Sequence, residues 1–174
     1  MPDEKEVEVR KKILLTIDFF RKHVPGFESA FILDTASQVG TRASRRLIGE
    51  HLLSYEELER GETFDDVISI SHPACRNFSL DMPPKQIPYR SLVPQKVENL
   101  LVAGRCFSAD FRSQEVLRLI PQAIAMGEAA GVAAALAVKN KVTPRRVDIA
   151  ELQGQLIKQG VYLGPTGAGR ARFY

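Results

Sequence analysis

Little in this sequence could staple a fold or hold a metal. Its 174 residues include two cysteines, Cys75 and Cys106, and three histidines. The cysteines stand far apart with no Cys-x-x-Cys pair, and no histidine sits at metal-ligand spacing, so neither a disulfide framework nor a metal site is expected. With no secretory leader, the expected setting is reducing and cytoplasmic. Charge of one sign is equally scarce: 24 Lys and Arg against 21 Asp and Glu leave a net +3, with the two signs interspersed. Such a field is too weak to imply a nucleic-acid partner. Ser-His-Asp arrangements, carboxylate pairs at credible spacing, internal repeats and low-complexity blocks are all absent. So is a G-x-G-x-x-G after an early strand, the fingerprint that cradles dinucleotide phosphates at a helix N-terminus.

What is present is an ordinary globular balance, 44% apolar and 26% charged, enough for one domain or two small pieces sharing a core. The longest apolar run, Leu119 to Val138, is twenty residues with Glu128 as its sole charge. It reads as a helix of a soluble protein. Ala and Gly contribute little transfer energy, and Gln122 and Glu128 would lie in hydrocarbon, so no membrane partner is expected.

Along the chain, Ile13, Leu14, Ile17 and Phe20 recur at helical spacing and Pro25-Gly26 follows as a stop, which predicts an N-terminal amphipathic helix docked on something. Residues 29–53 are rich in strand formers broken at Gly40 and Gly49, predicting two short strands. Ser54 with Glu57 forms a capping box for a short helix ended by Gly61. An extended segment is expected from Asp66 to Phe78, then a proline-rich loop over residues 81–94. "NLLVAG", Asn99 to Gly104, suits a buried strand, and the Ala- and Gly-rich helix should begin near Pro121. Asp148 with Glu151 opens a last helix closed by Gly160. The fold class is α/β with α+β mixing.

In the long helix, Ala123, Gly127, Gly131 and Ala135 share one face. Two glycines on a stripe cost roughly 1 kcal/mol each against alanine, so something should approach that face closely: a helix, a sheet or a flat ligand. The start of the helix, with Pro121 in its first turn, should present the amides of Gln122, Ala123 and Ile124 and favour partial negative charge, helped by Arg118 and Arg105.

Ile87 to Val138 resembles the C-terminal segment of FAD-dependent oxidoreductases related to the heterodisulfide reductase flavoprotein subunit. The matching positions are Asn99 to Arg105, Cys106, Ser108, Arg118 and Gly127 to Ala134. Upstream, Gly40, Arg42, Ser44, Arg45, Arg46, Gly49 and Glu50 are similar to a second block of that family, and residues 142–163 are similar to its closing helix. The resemblance implies a Rossmann-like flavoprotein, of which residues 1–98 form part of a substrate-facing subdomain and 99–174 the closing strand and helices of the FAD-binding domain. It implies FAD contacts from Gly104, Arg105, Ser108, Arg118, Pro121, Gln122 and Ala123, with the helix start beneath the flavin near its N1 and C2 carbonyl. Asp110 has no ribityl role, because the expected Gly-Asp pair is Gly104-Arg105 here.

Since the phosphate-binding fingerprint is lacking, the FAD site is expected to be completed by a preceding nucleotide-binding region or a partner chain. Arg42 and Arg46, on one face of an expected strand, and His72 are candidates to meet a small-molecule or redox-protein substrate. The rival expectation is a non-catalytic interaction module that docks through the small-residue face, and the apolar patch left by the missing half predicts homo-oligomers in either case.

Overall fold

The computed structural model describes residues 4–38, 40, 42–71 and 83–164. The chain forms two compact units, Met1–Arg42 and Ala43–Tyr174.

The first unit is helix α1 (Glu4–His23) followed by irregular chain. Acidic Glu4 and Glu6 open the helix and Arg21, Lys22 and His23 close it, matching the dipole at both ends. Gly26, at φ 88°, turns the chain back.

The second unit is a mixed α/β assembly. Helix α2 (Tyr55–Arg60) has the expected capping box: the Ser54 hydroxyl accepts from the Glu57 N–H, and Glu57 accepts from the Ser54 N–H at 2.7 Å. Gly61 ends it in the left-handed conformation, φ 67°. Strands β1 (Val67–Ser71) and β2 (Lys85–Pro88) pair antiparallel, Ser69 opposite Ile87 and Ser71 opposite Lys85, with a bulge between Val67 and Ser69. Helices α3 (Phe111–Leu117), α4 (Ile120–Asn140) and α5 (Ile149–Lys158) follow. The core joins Ile68 and Ile87 of the hairpin to Leu117, Met126, Ala129 and Ala133 of α3 and α4 and to Leu152 and Leu156 of α5. Although α4 has the length and hydropathy of a membrane span, this face of it is buried in protein.

One side chain ties distant parts of this unit together. The Arg145 guanidinium donates to Glu98 at 2.8 Å, to Glu50, and to the Pro94 carbonyl at 2.6 Å.

Several expectations are corrected. Among the described residues of 29–53 no strand forms; Gly49 bridges Pro94 and Leu53 bridges Ala109, each as a single contact. The proline-rich segment is not all loop, because Lys85–Pro88 is β2 and Tyr89–Leu92 is a buried 3-10 turn. Pro88 sits at the strand end, where its missing N–H costs no ladder bond. Asn99 to Gly104 is irregular rather than a strand: Asn99 (φ 55°) and Gly104 (φ 75°) are left-handed, and Val102 makes a single bond, to the Leu92 carbonyl at 2.9 Å. A strand needs a neighbour to share its hydrogen bonds. Among the described residues the Val102 bond to Leu92 is not continued into a ladder. Finally, the small-residue stripe is not the packed face of α4. Gln122, Met126, Ala129, Ala133, Leu136 and Ala137 are buried, whereas Gly127, Gly131 and Ala135 are exposed.

Candidate functional site

The site is the junction where α3 hands the chain to α4. Asp110 caps α3, its carboxylate accepting from the Ser113 N–H at 2.7 Å. The other carboxylate oxygen accepts from the Tyr55 N–H, also at 2.7 Å, so one side chain holds the first turns of α2 and α3. Burial pushes the Asp110 carboxyl upward, but these N–H donors together outweigh it and hold the acid below the ordinary value of 3.8. This helix and its cap were not read from the sequence, although Asp is one of the residues favoured at a helix N-cap.

Arg118 ends α3, donating its N–H to the Gln114 carbonyl at 2.9 Å, and Leu119 turns extended to start α4. No side chain caps α4. The Ala123 N–H already bonds the Leu119 carbonyl at 2.9 Å, and Ile124 follows it into the helical ladder. The expected trio of free amides is therefore corrected: the helix starts at Ile120, Pro121 has no N–H, and Ile120 and Gln122 remain as donors without a helical acceptor. The tip is open, with Ile120 exposed by 76% and Ile124 by 64%.

The 3-10 turn Gly104–Cys106 packs on this tip. A side chain at Gly104 would place its first carbon 3.9 Å from the Ala123 methyl, and φ 75° suits glycine there. The Arg105 carbonyl accepts from the Gln114 side-chain amide at 2.8 Å, while Arg105 itself is exposed. Cys106 is a half-buried free thiol. Ser108 is fully buried: its hydroxyl accepts from the Gly49 N–H at 3.1 Å and its carbonyl from the Leu53 N–H at 3.2 Å. A methyl at Gly49 would come within 2.7 Å of the Ser108 side chain.

The junction also holds buried polar atoms with no hydrogen-bond partner among the described residues. They include Gln114 Oε1, Arg118 Nε and Gln122 Oε1, and Gln122 is only 5% exposed. Buried polar atoms are almost always paired, so such a group asks for a ligand or a water.

The structure thus brings Gly104, Arg105, Arg118, Pro121, Gln122 and Ala123 to one junction and keeps Ser108 beneath it. It does not bring Arg42 and Arg46 onto a strand, since none forms. Arg42 is exposed in the first unit, and Arg46, in the second, donates to the Ala109 carbonyl at 2.9 Å. His72 and Cys75 lie outside the described residues. No group of three or more metal-ligating side chains occurs among the described residues.

An uncapped helix start beside an arginine favours partial negative charge. The family model described as FAD dependent oxidoreductase matches residues 2–156, and the chain belongs to this family of flavin enzymes. Searches of curated proteins and of solved structures returned no match.

Proposed function

We propose that this chain forms the C-terminal part of a flavin oxidoreductase of the group related to the heterodisulfide reductase flavoprotein subunit, and supplies one wall of its FAD site. The observation that carries this reading is the uncapped N-terminus of α4 beside the buried, unpartnered Arg118 Nε. These residues fit the polar edge of a flavin. The Ile120 and Gln122 amides and the helix dipole favour negative charge there, Arg118 adds a full cation, and Gly104 keeps the preceding chain close to Ala123. When bound, the flavin supplies hydride or electron transfer; the residues of this chain orient it and offset charge.

The dinucleotide phosphates need a Gly-rich turn that this sequence does not contain. In this reading a nucleotide-binding region, preceding or separate, provides it, and residues 99–174 close that domain. The chain by itself binds FAD weakly or not at all. A docking role without catalysis is the second reading, favoured by the open space over Gly127 and Gly131.

Titrating FAD, followed by absorbance, into the chain with and without an added nucleotide-binding domain of the family tests the reading. Binding should appear with both parts present, and Arg118→Ala should weaken it about tenfold to a hundredfold, as expected for loss of a hydrogen bond from a charged donor. Binding indifferent to Arg118→Ala would remove Arg118 from the site; assembly without any flavin binding would leave the docking role.

A further inference from the structure

No described residue of 4–42 is buried, so the apolar side chains of this unit have no core of their own to enter. One side of α1 is occupied nonetheless. Arg21 Nε donates to the Ala30 carbonyl at 2.6 Å, and Arg10 donates to the Thr35 hydroxyl at 2.8 Å and to the Ala36 and Ser37 carbonyls. These bonds lay residues 30–37 back along the helix on the side that carries Arg10, Ile13, Ile17 and Arg21.

Another side is open. Glu8, Lys12, Leu15, Phe19 and Lys22 recur at alternating spacings of four and three, the pattern of a line along which two helices pack. All five are exposed, Leu15 by 69% and Phe19 by 55%. The charges on and beside this line are complementary when read in opposite directions from Leu15. Glu8 lies seven positions before it and Lys22 seven after; Lys11 lies four before and Asp18 three after; Lys12 lies three before and Phe19 four after.

We propose that this face of α1 pairs antiparallel with the same face of a second copy across a two-fold axis at Leu15. Leu15 then meets Leu15 once, on the axis, while Glu8 faces Lys22, Lys11 faces Asp18, and Lys12 lies over the Phe19 ring, each of these occurring twice, as an isologous interface requires. A parallel pair would oppose Lys12 to Lys12 and Lys22 to Lys22. A lipid surface would have to bury Glu8, which lies on the same line as Leu15 and Phe19. The pairs already present within the helix, Glu8–Lys12 and Asp18–Lys22, both 2.7 Å, are exposed and weakly held, so these groups can be shared with a partner.

Analytical ultracentrifugation of the full chain over about 1 to 100 µM, a range suited to micromolar association, reads the result. Reversible dimers are expected, and Leu15→Glu, which sets two carboxylates against each other at the axis, should leave monomers with unchanged far-UV circular dichroism. Glu8→Lys and Lys22→Glu should each weaken the dimer about tenfold, and the double swap should recover most of that loss. A wild-type chain that stays monomeric overturns the proposal, as do dimers indifferent to Leu15→Glu and a double swap no better than the single changes. Monomers that cosediment with phosphatidylserine vesicles would overturn it in favour of lipid.

Discussion

At the scale of single residues, Asp110 carries more than its position in a polar loop announces. It terminates the backbone of two helices, and its carboxyl is held below 3.8 by their N–H groups. A depressed folded-state value means that the stabilisation is complete above the unfolded value and is lost as pH falls through the folded one. Asp110→Asn should therefore destabilise the second unit at pH 7, by about 2 kcal/mol for two weakened caps. Urea denaturation at pH 7 and at pH 3 checks this: the difference between the two proteins should shrink toward the acid end. Gly49 shows the limit of reading residues singly. Its glycine signal pointed to a strand break, whereas its role is to let Ser108, 59 positions away, approach within contact. Nothing local in the sequence records a partner at that distance.

For whole elements, the small-residue helix is the instructive case. Its existence, its start near Pro121 and its stripe of Ala123, Gly127, Gly131 and Ala135 were all legible from spacing, as were the capped starts of α2 and α5. The direction in which the stripe faces was not, because periodicity fixes which residues share a side and leaves open what covers it. Among the described residues, nothing outside the helix's own nearby backbone lies within 4 Å of an added side-chain carbon at Gly127 or Gly131. Gly127→Leu should thus leave thermal stability unchanged or raised by about 0.5–1 kcal/mol, the helix-propensity gain over glycine. The same change should abolish FAD binding in the assembled protein if the nucleotide-binding half seats on this face. Melting of the variant alone, beside flavin binding by the pair, separates the two effects. The failed strand at Asn99–Gly104 has the same origin: its apolar composition was visible, but a strand is a property of two segments, and among the described residues its one bond to Leu92 is not extended into a ladder.

For the molecule as a whole, the family and the mixed fold were readable from two blocks of sequence, whereas the division at Arg42 was not, since α1 carries the amphipathic pattern of a helix that docks. Burial distinguishes the units. Heat-capacity change on unfolding follows apolar surface exposed, at roughly 12–15 cal/mol/K per residue of buried structure. No described residue of 4–42 is fully buried, so scanning calorimetry of the monomeric chain should give a value up to about 0.5 kcal/mol/K short of that expected for its length, with α1 melting gradually rather than within the main transition.

Arg145 and Glu50, bonded in the folded unit, stand 95 positions apart, and Glu98 waits on the same guanidinium. At ribosomal speeds of about 5–20 residues per second, roughly 5 to 20 seconds separate the emergence of Glu50 from that of Arg145, and about 2 to 9 seconds that of Glu98. Through that interval the two carboxylates lack the guanidinium that they share in the folded unit. The clasp on Glu50 closes only once residue 145 has been made, so this tie belongs to the late steps of folding.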